Sequence, residues 1–362
     1  MPKLPRLAWS ALPRRPLSAG MAAAGIAVMA AAVAGPAHAA TAQYKLTLST
    51  VVDTHYHAIN NNGDIIGDGP QPETSFTAPF LLTAGSGKSL TLDVPADQAG
   101  SAFATAESLN DADTVVGESD NGVFTALEWP DSSTPTDLQS LPTLASRFFQ
   151  TQATSINDNG LIVGYGEGPG AHGDTTIGFT IHGSTVTLLP ELPNGVDAHP
   201  IAVNGTGTTI VGDADTSTQG GVPVEWVNGA IKKLPFLSGS AGDAKALAVN
   251  NTGQVVGADV LTSDLNAHAV LWANGKATDL RFGNAGDAEA TSINSSGVIV
   301  GDGGGHAFIY RNGTPTDLNT LVPAGSGVTL ATASSVNDHG VIVGTAVNAQ
   351  GLPVGFQLTP VA

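Results

Sequence analysis

The sequence predicts an all-β fold: a single seven-bladed β-propeller of four-stranded antiparallel blades, closed by pairing of the N-terminal strand with the C-terminal blade. Three observations predict it. An asparagine-anchored unit returns along the chain, each unit reads as strand, tight turn, strand, and the incomplete units at the two ends complement each other.

The clearest copy of the unit is Ile156-Asn157-Asp158-Asn159-Gly160-Leu161-Ile162-Val163-Gly164. Its anchors are Asn60, Asn110, Asn157, Asn204, Asn250, Asn294 and Asn337, with steps of 50, 47, 47, 46, 44 and 43 residues. A period in this range marks a repeat architecture. A glycine follows the asparagine by seven positions in six copies (Gly67, Gly117, Gly164, Gly257, Gly301, Gly344) and by eight in the fourth (Gly212), where Thr208-Thr209 carries an insertion.

Within each unit an apolar residue precedes the asparagine, and turn formers ending in glycine lead to runs such as Ile65-Ile66, Val115-Val116 or Val255-Val256. The turn glycine supplies the positive φ that a short bulged hairpin loop needs, and Asp113 stands in for it in the second copy, as Asp can. The β-branched runs lack apolar/polar alternation, which predicts strands covered on both faces. The residues two and four before the asparagine are mostly small, so one side of this strand is narrow. Strands crowding around a common axis would need this.

A third strand follows with an aromatic or aliphatic centre: Ala126-Leu127-Glu128-Trp129, Val224-Glu225-Trp226, Ala269-Val270-Leu271-Trp272 and Ala307-Phe308-Ile309-Tyr310. Turns at Asn228-Gly229, Asn274-Gly275 and Asn312-Gly313 lead to a fourth strand ending in Leu234, Leu280 or Leu318, and Asn-Gly between such runs is a strong hairpin signal. The last copy stops after its third strand, Val354 to Leu358, while a spare strand, Tyr44-Lys45-Leu46-Thr47-Leu48, precedes the first. Pairing the two closes the ring and leaves no open sheet edge.

Residues 1–39 read as a secretory signal peptide: Lys3, Arg6, Arg14 and Arg15, an apolar run from about Ala19 to Gly35, and the cleavage motif Ala37-His38-Ala39. Residues 40–362 form the propeller domain. Sec export fits better than twin-arginine export. Losing four cationic residues moves the net charge from −18 to −22, which argues against nucleic acid and anionic membrane surfaces as partners. Cysteine is absent, so no disulfide stabilises the exported chain.

These residues resemble the HAF family of extracellular repeat proteins. The third-strand motif is visible as His306-Ala307-Phe308 and, degraded, as His268-Ala269-Val270. The first, second and last copies keep the asparagine and glycine and lack the trio. The resemblance covers roughly the whole mature chain and implies a secreted bacterial protein with propeller-like repeats and no established activity, and it supplies no catalytic residue.

The repeat asparagine suits an Asx-type bond to turn backbone better than a ligand role. The turns offer too few carboxylates for a shared calcium site. Seven positions before the asparagine stand Asp53, Asp197, Asp243 and Asp287, with His55, His199 and Glu289 two residues further on. Equivalent positions in a ring share one face, so these residues would gather at one channel mouth as a candidate binding or cation site; alternatively each Asp bonds loop amides or the neighbouring blade. Arg147, Phe148 and Phe149 form a candidate ligand-contact loop, or the phenylalanines belong to the core.

Gly85-Ser86-Gly87-Lys88-Ser89 fails the phosphate-loop spacing, and the glycine-rich run from Gly164 to Gly170 lies outside any βαβ unit. No nucleophile elbow or zinc-protease motif occurs, no cofactor is indicated, and no metal is assigned. The expected function is a secreted, monomeric, non-enzymatic binding or scaffold protein that presents loops to an extracellular glycan or protein. The competing reading is an extracellular hydrolase or lyase acting on carbohydrate or ester, using the acidic and histidine residues at the mouth.

Overall fold

The structure is a computed structural model describing residues 43–361, apart from 71–76, 96–102, 131–133, 171–172 and 283–285. The expected leader and its cleavage site lie outside the described residues. The fold is all-β, a β-propeller of four-stranded antiparallel blades, but seven separate blades are not what is found. There are five four-stranded blades, and the third and fourth repeat units share one eight-stranded sheet. The reason is strand length. Leu161–Gly170 and Gly173–His182 run ten residues each and Gly195–Val203 runs nine, so their ends overlap, and a parallel bridge pairs Thr176 with Asp197.

The N-terminal strand Tyr44–Leu48 pairs antiparallel with Pro353–Pro360, from Tyr44 opposite Pro360 to Leu48 opposite Phe356. The last blade thereby gains the strand its own sequence lacks. The runs Ile65-Ile66, Val115-Val116 and Val255-Val256 are buried on both faces, each residue 2% exposed or less. The turns at Asn228-Gly229, Asn274-Gly275 and Asn312-Gly313 have positive φ at both residues, as a type I′ hairpin requires.

One device recurs in every unit and was not foreseen. The first strand carries a register break between the residues four and two before the asparagine, from Tyr56/Ala58 to Ala333/Ser335. This bulge interrupts the strict alternation on which the sequence reading relied. It also drives one carbonyl toward the second strand, opposite the repeat glycine. A Cβ on Gly117 would lie 1.9 Å from the Thr105 carbonyl oxygen, and one on Gly212 would lie 2.0 Å from that of His199. In the first, third, sixth and last units a phenylalanine ring (Phe80, Phe179, Phe308, Phe356) closes the space from the third strand, its nearest atom 2.9–3.0 Å from the same Cβ position. Only glycine fits between carbonyl and ring.

The asparagines tie unit to unit. Each side-chain oxygen accepts from its own turn, as Asn157 does from Asn159 N at 3.1 Å and Leu161 N at 3.0 Å. Each Nδ2 can then donate to the next anchor's carbonyl. Asn60, Asn110, Asn157, Asn250, Asn294 and Asn337 do so, at 3.0–3.2 Å. The Asn337 bond to Asn60 O spans 277 positions and joins the last unit to the first. Asn204 breaks the relay, because the inserted threonine draws its amide to Thr208 Oγ1 at 3.4 Å.

The third-strand tryptophans reach the preceding unit as well. Trp129, Trp226 and Trp272 are at most 2% exposed, and their Nε1 groups donate to Asp93 O, Pro190 O and Pro235 O at 2.7–2.9 Å. Burial of the ring with its N–H partnered makes each a large contribution to unit stacking.

Candidate functional site

The first strand of each unit runs from a polar start to the anchor. Five residues before the asparagine it pairs with the residue just after the repeat glycine: His55 with Asp68, Thr105 with Glu118, Gln152 with Tyr165, His199 with Asp213, Glu289 with Asp302. Cross-strand partners share a face, so equivalent strands bring these side chains together as a polar wall in which five of the ten are acidic, and the fifth unit adds Lys245.

Contacts run along this wall from unit to unit. His57 Nε2 lies 2.6 Å from Asp68 Oδ1, and its Nδ1 is 3.2 Å from Ala106 O of the next unit. The Tyr165 hydroxyl bonds Gln152 Oε1, and its ring meets that of His199 edge-on at 5.1 Å. His199 Nδ1 is 3.2 Å from Asp213 Oδ2. Lys245 Nζ is 3.3 Å from Glu289 Oε1, and His55 Nδ1 is 3.3 Å from Thr345 Oγ1 across the closure.

The wall carries more acids than bases, with Lys245 among its charges. Burial, with the nearby charges of Glu107 and Asp120 added, pushes the Glu118 carboxyl well above the usual carboxylate range. Burial raises the Tyr165 hydroxyl too, helped by Glu118, Glu107 and Asp213. For His199 burial opposes the imidazolium, but the Asp213 bond and the charges of Asp213, Asp197 and Asp215 outweigh it and leave the pKa raised. Asp243 is raised by burial and by Asp213 and Asp215.

The sequence-predicted residues divide. His199 lies in the wall, and the charge of Asp213 acts on Asp243 as well as on His199. Asp197 Oδ1 instead accepts from Thr176 N, and Asp287 Oδ1 from Ala267 N, each at 2.8 Å and each in the preceding unit. They act as clasps between units. Asp53 is exposed in the turn after the closing strand, with φ 61°, and Glu289 is held by Lys245. Among the described residues no group of three or more His, Asp or Glu side chains is placed to hold a metal ion.

In the loop candidate, Phe148 is core, 5% exposed and 6.2 Å from Phe179, and its ring fills the space a Cβ on Gly166 would need. Phe149 is 48% exposed, beside the exposed Arg147. An unexpected short helix, Pro142–Arg147, presents them. The sequence reading missed Glu107, Glu118, Tyr165 and Asp213. A signal was available: an acid directly follows the repeat glycine at Asp68, Glu118, Asp213 and Asp302.

No family model matches the chain, and no curated protein matches it in sequence. Solved structures resemble it in shape. An oligogalacturonate lyase in complex with manganese has a TM-score of 0.54 at 11% identity, over 89% of this chain and 99% of that one. A puromycin-hydrolyzing peptidase from Mycobacterium tuberculosis has a TM-score of 0.52 at 12% identity, over 87% of this chain and 51% of the other. TolB from Acinetobacter baumannii has a TM-score of 0.45 at 10% identity, over 84% of this chain and 65% of its own length. This chain thus spans about half of the peptidase and under two thirds of TolB. At such identities the likeness is one of fold, and the fold is the β-propeller.

Proposed function

We propose that the chain is an exported binding protein of the HAF type, and that its acidic wall receives a basic segment of an extracellular protein partner. The wall gathers Glu107, Glu118, Asp213 and Asp243, and in a recessed site such charges focus the potential on an approaching cation. The same field repels polyanions. Export is supported by the leader pattern in the sequence, and no helix among the described residues is long and apolar enough to cross a membrane.

The half-buried His199–Asp213 pair favours a second reading, a hydrolase or lyase for carbohydrate or ester with His199 as base. Against it, Asp197 and Asp287 are committed to backbone amides and Glu289 to Lys245.

An oligo-arginine peptide tests the binding reading. It is expected to bind, to weaken as salt rises, and to weaken as pH falls from 7.5 toward 5. Glu118 takes up its proton early, because its pKa is raised, and His199 becomes cationic; both changes remove negative charge from the wall. Glu107→Gln with Asp213→Asn should lose about tenfold in affinity. Asp174→Asn with Glu225→Gln removes the same charge elsewhere and should lose far less. Equal losses, or tighter binding of oligogalacturonate, would refute the proposal.

A further inference from the structure

The first strand of each unit starts at the end where the acidic wall opens and finishes at its anchor turn, so the loops joining second to third strands return to that opening. Large apolar residues left exposed gather there. Val51 and Val52 precede the strand His55–Ile59, and Leu352 lies in the turn between Ile342–Asn348 and Pro353–Pro360. All three are 41–49% exposed. Asp53 N donates to Pro353 O and Thr54 Oγ1 to Val51 O, each at 2.8 Å, which joins the two turns and fixes the valines.

A second apolar point lies between the second and third units. Ala126 N donates to Thr151 Oγ1 at 3.1 Å, and both strands run away from the opening, so Val123 and Phe149, just before these residues, emerge together on the rim. Phe149 N donates to Glu167 O at 2.9 Å, and Phe148 behind it is core, so the exposed ring has a rigid base. Leu265 is the third point. It lies between Val255–Leu261 and Ala267–Ala273, is 67% exposed, and holds φ at 60°. Left-handed backbone is an outlier for a bulky residue, and glycine or asparagine would be less strained there. Such strain clusters where a side chain has a function.

Single exposed apolar residues need no explanation, but apolar points fixed around one acidic recess do. The acids also discriminate among occupants. A second copy would set acidic wall against acidic wall, and an anionic membrane would be repelled in the same way. We propose that this rim grips apolar side chains flanking the cations of the bound segment, so that the partner is a basic amphipathic segment. The inference rests on the acidic-wall reading and adds to it a contribution that salt does not screen.

Two peptides test it by titration calorimetry of the whole chain: tetra-arginine flanked by Leu-Phe at each end, and the same core flanked by serines. The apolar flanks should tighten binding about tenfold, the worth of a partly buried leucine or phenylalanine, and the gain should persist at high salt. Phe149→Ser with Leu265→Asn should remove the gain. Both residues are exposed, and asparagine suits the left-handed turn, so the variant should unfold no earlier than wild type. Val227→Ser alters an exposed apolar residue away from the opening and should keep the gain. Equal binding of the two peptides would overturn the rim and leave the wall standing, whereas failure of the serine-flanked peptide at low salt would sink both. Capture of phosphatidylcholine vesicles, or dimers in sedimentation, lost in the Phe149 and Leu265 variant would overturn the proposal in favour of a membrane or a second copy.

Discussion

Gly117→Ala is expected to destabilise the fold by more than about 3 kcal/mol, beyond the usual cost of an added methyl in a core. The added Cβ would stand 1.9 Å from Thr105 O and 3.2 Å from Ala106 Cα. Both neighbours are backbone held by the bulge, so neither can rotate away. Gly205→Ala is the control. It lacks a positive φ, and its nearest neighbour at 3.0 Å is the amide end of the Asn251 side chain, which can move. Its cost should stay below about 1 kcal/mol. Urea unfolding of the two variants measures the difference, and similar midpoints would show that the repeat glycine is not set by the bulged carbonyl.

Asn157→Ala should cost about 2–4 kcal/mol, because a buried anchor loses bonds on both sides. Asn159 N and Leu161 N lose their acceptor, and Asn204 O and Gly205 O each lose one of two donors, keeping Gly207 N and Asn159 Nδ2. Asn204→Ala is expected to cost less by about 1 kcal/mol, since its amide already fails to reach the next unit and has only the 3.4 Å bond to Thr208. Asn157→Asp retains the turn acceptor and loses the donor, so it should fall between wild type and Asn157→Ala. If all three variants unfolded at the same denaturant concentration, the relay would carry no stability of its own.

Features written in short stretches of chain were legible in the sequence. The anchor period, the Asn-Gly hairpins and the spare strand Tyr44–Leu48 depend on local turn chemistry and apolar runs, and the structure contains each of them. The repeat glycine was visible, but its cause was not, because Thr105 O meets Gly117 only after the bulge has displaced the strand. The merger of the third and fourth units was hidden for a similar reason. It depends on where Thr176 and Asp197 fall once the long strands extend, and no turn residue marks that point.

The candidate site was half legible. The set of aspartates seven before the anchor is periodic, yet hydrogen bonding in three dimensions divides it between clasps, Asp197 and Asp287, and a member of the acidic cluster, Asp243. The residues that complete the wall sit on the second strand. They face His199 and its equivalents only through strand pairing, so a search along the first strand alone passes over Glu118 and Asp213. Phe148 and Phe149 illustrate the limit of adjacency: a single step along the chain separates a core residue from an exposed one.

The central claim is that the chain closes on itself, with Tyr44–Leu48 completing the last blade. The chain contains no cysteine, so an introduced pair reports on closure without competition. Lys45 and Thr359 face each other across the closing ladder, where the Cα separation of antiparallel partners suits a disulfide. Lys45→Cys with Thr359→Cys should oxidise to an intramolecular cross-link in the folded protein and raise its denaturation midpoint. Free thiols that persist under oxidising conditions in the folded chain would contradict the closure.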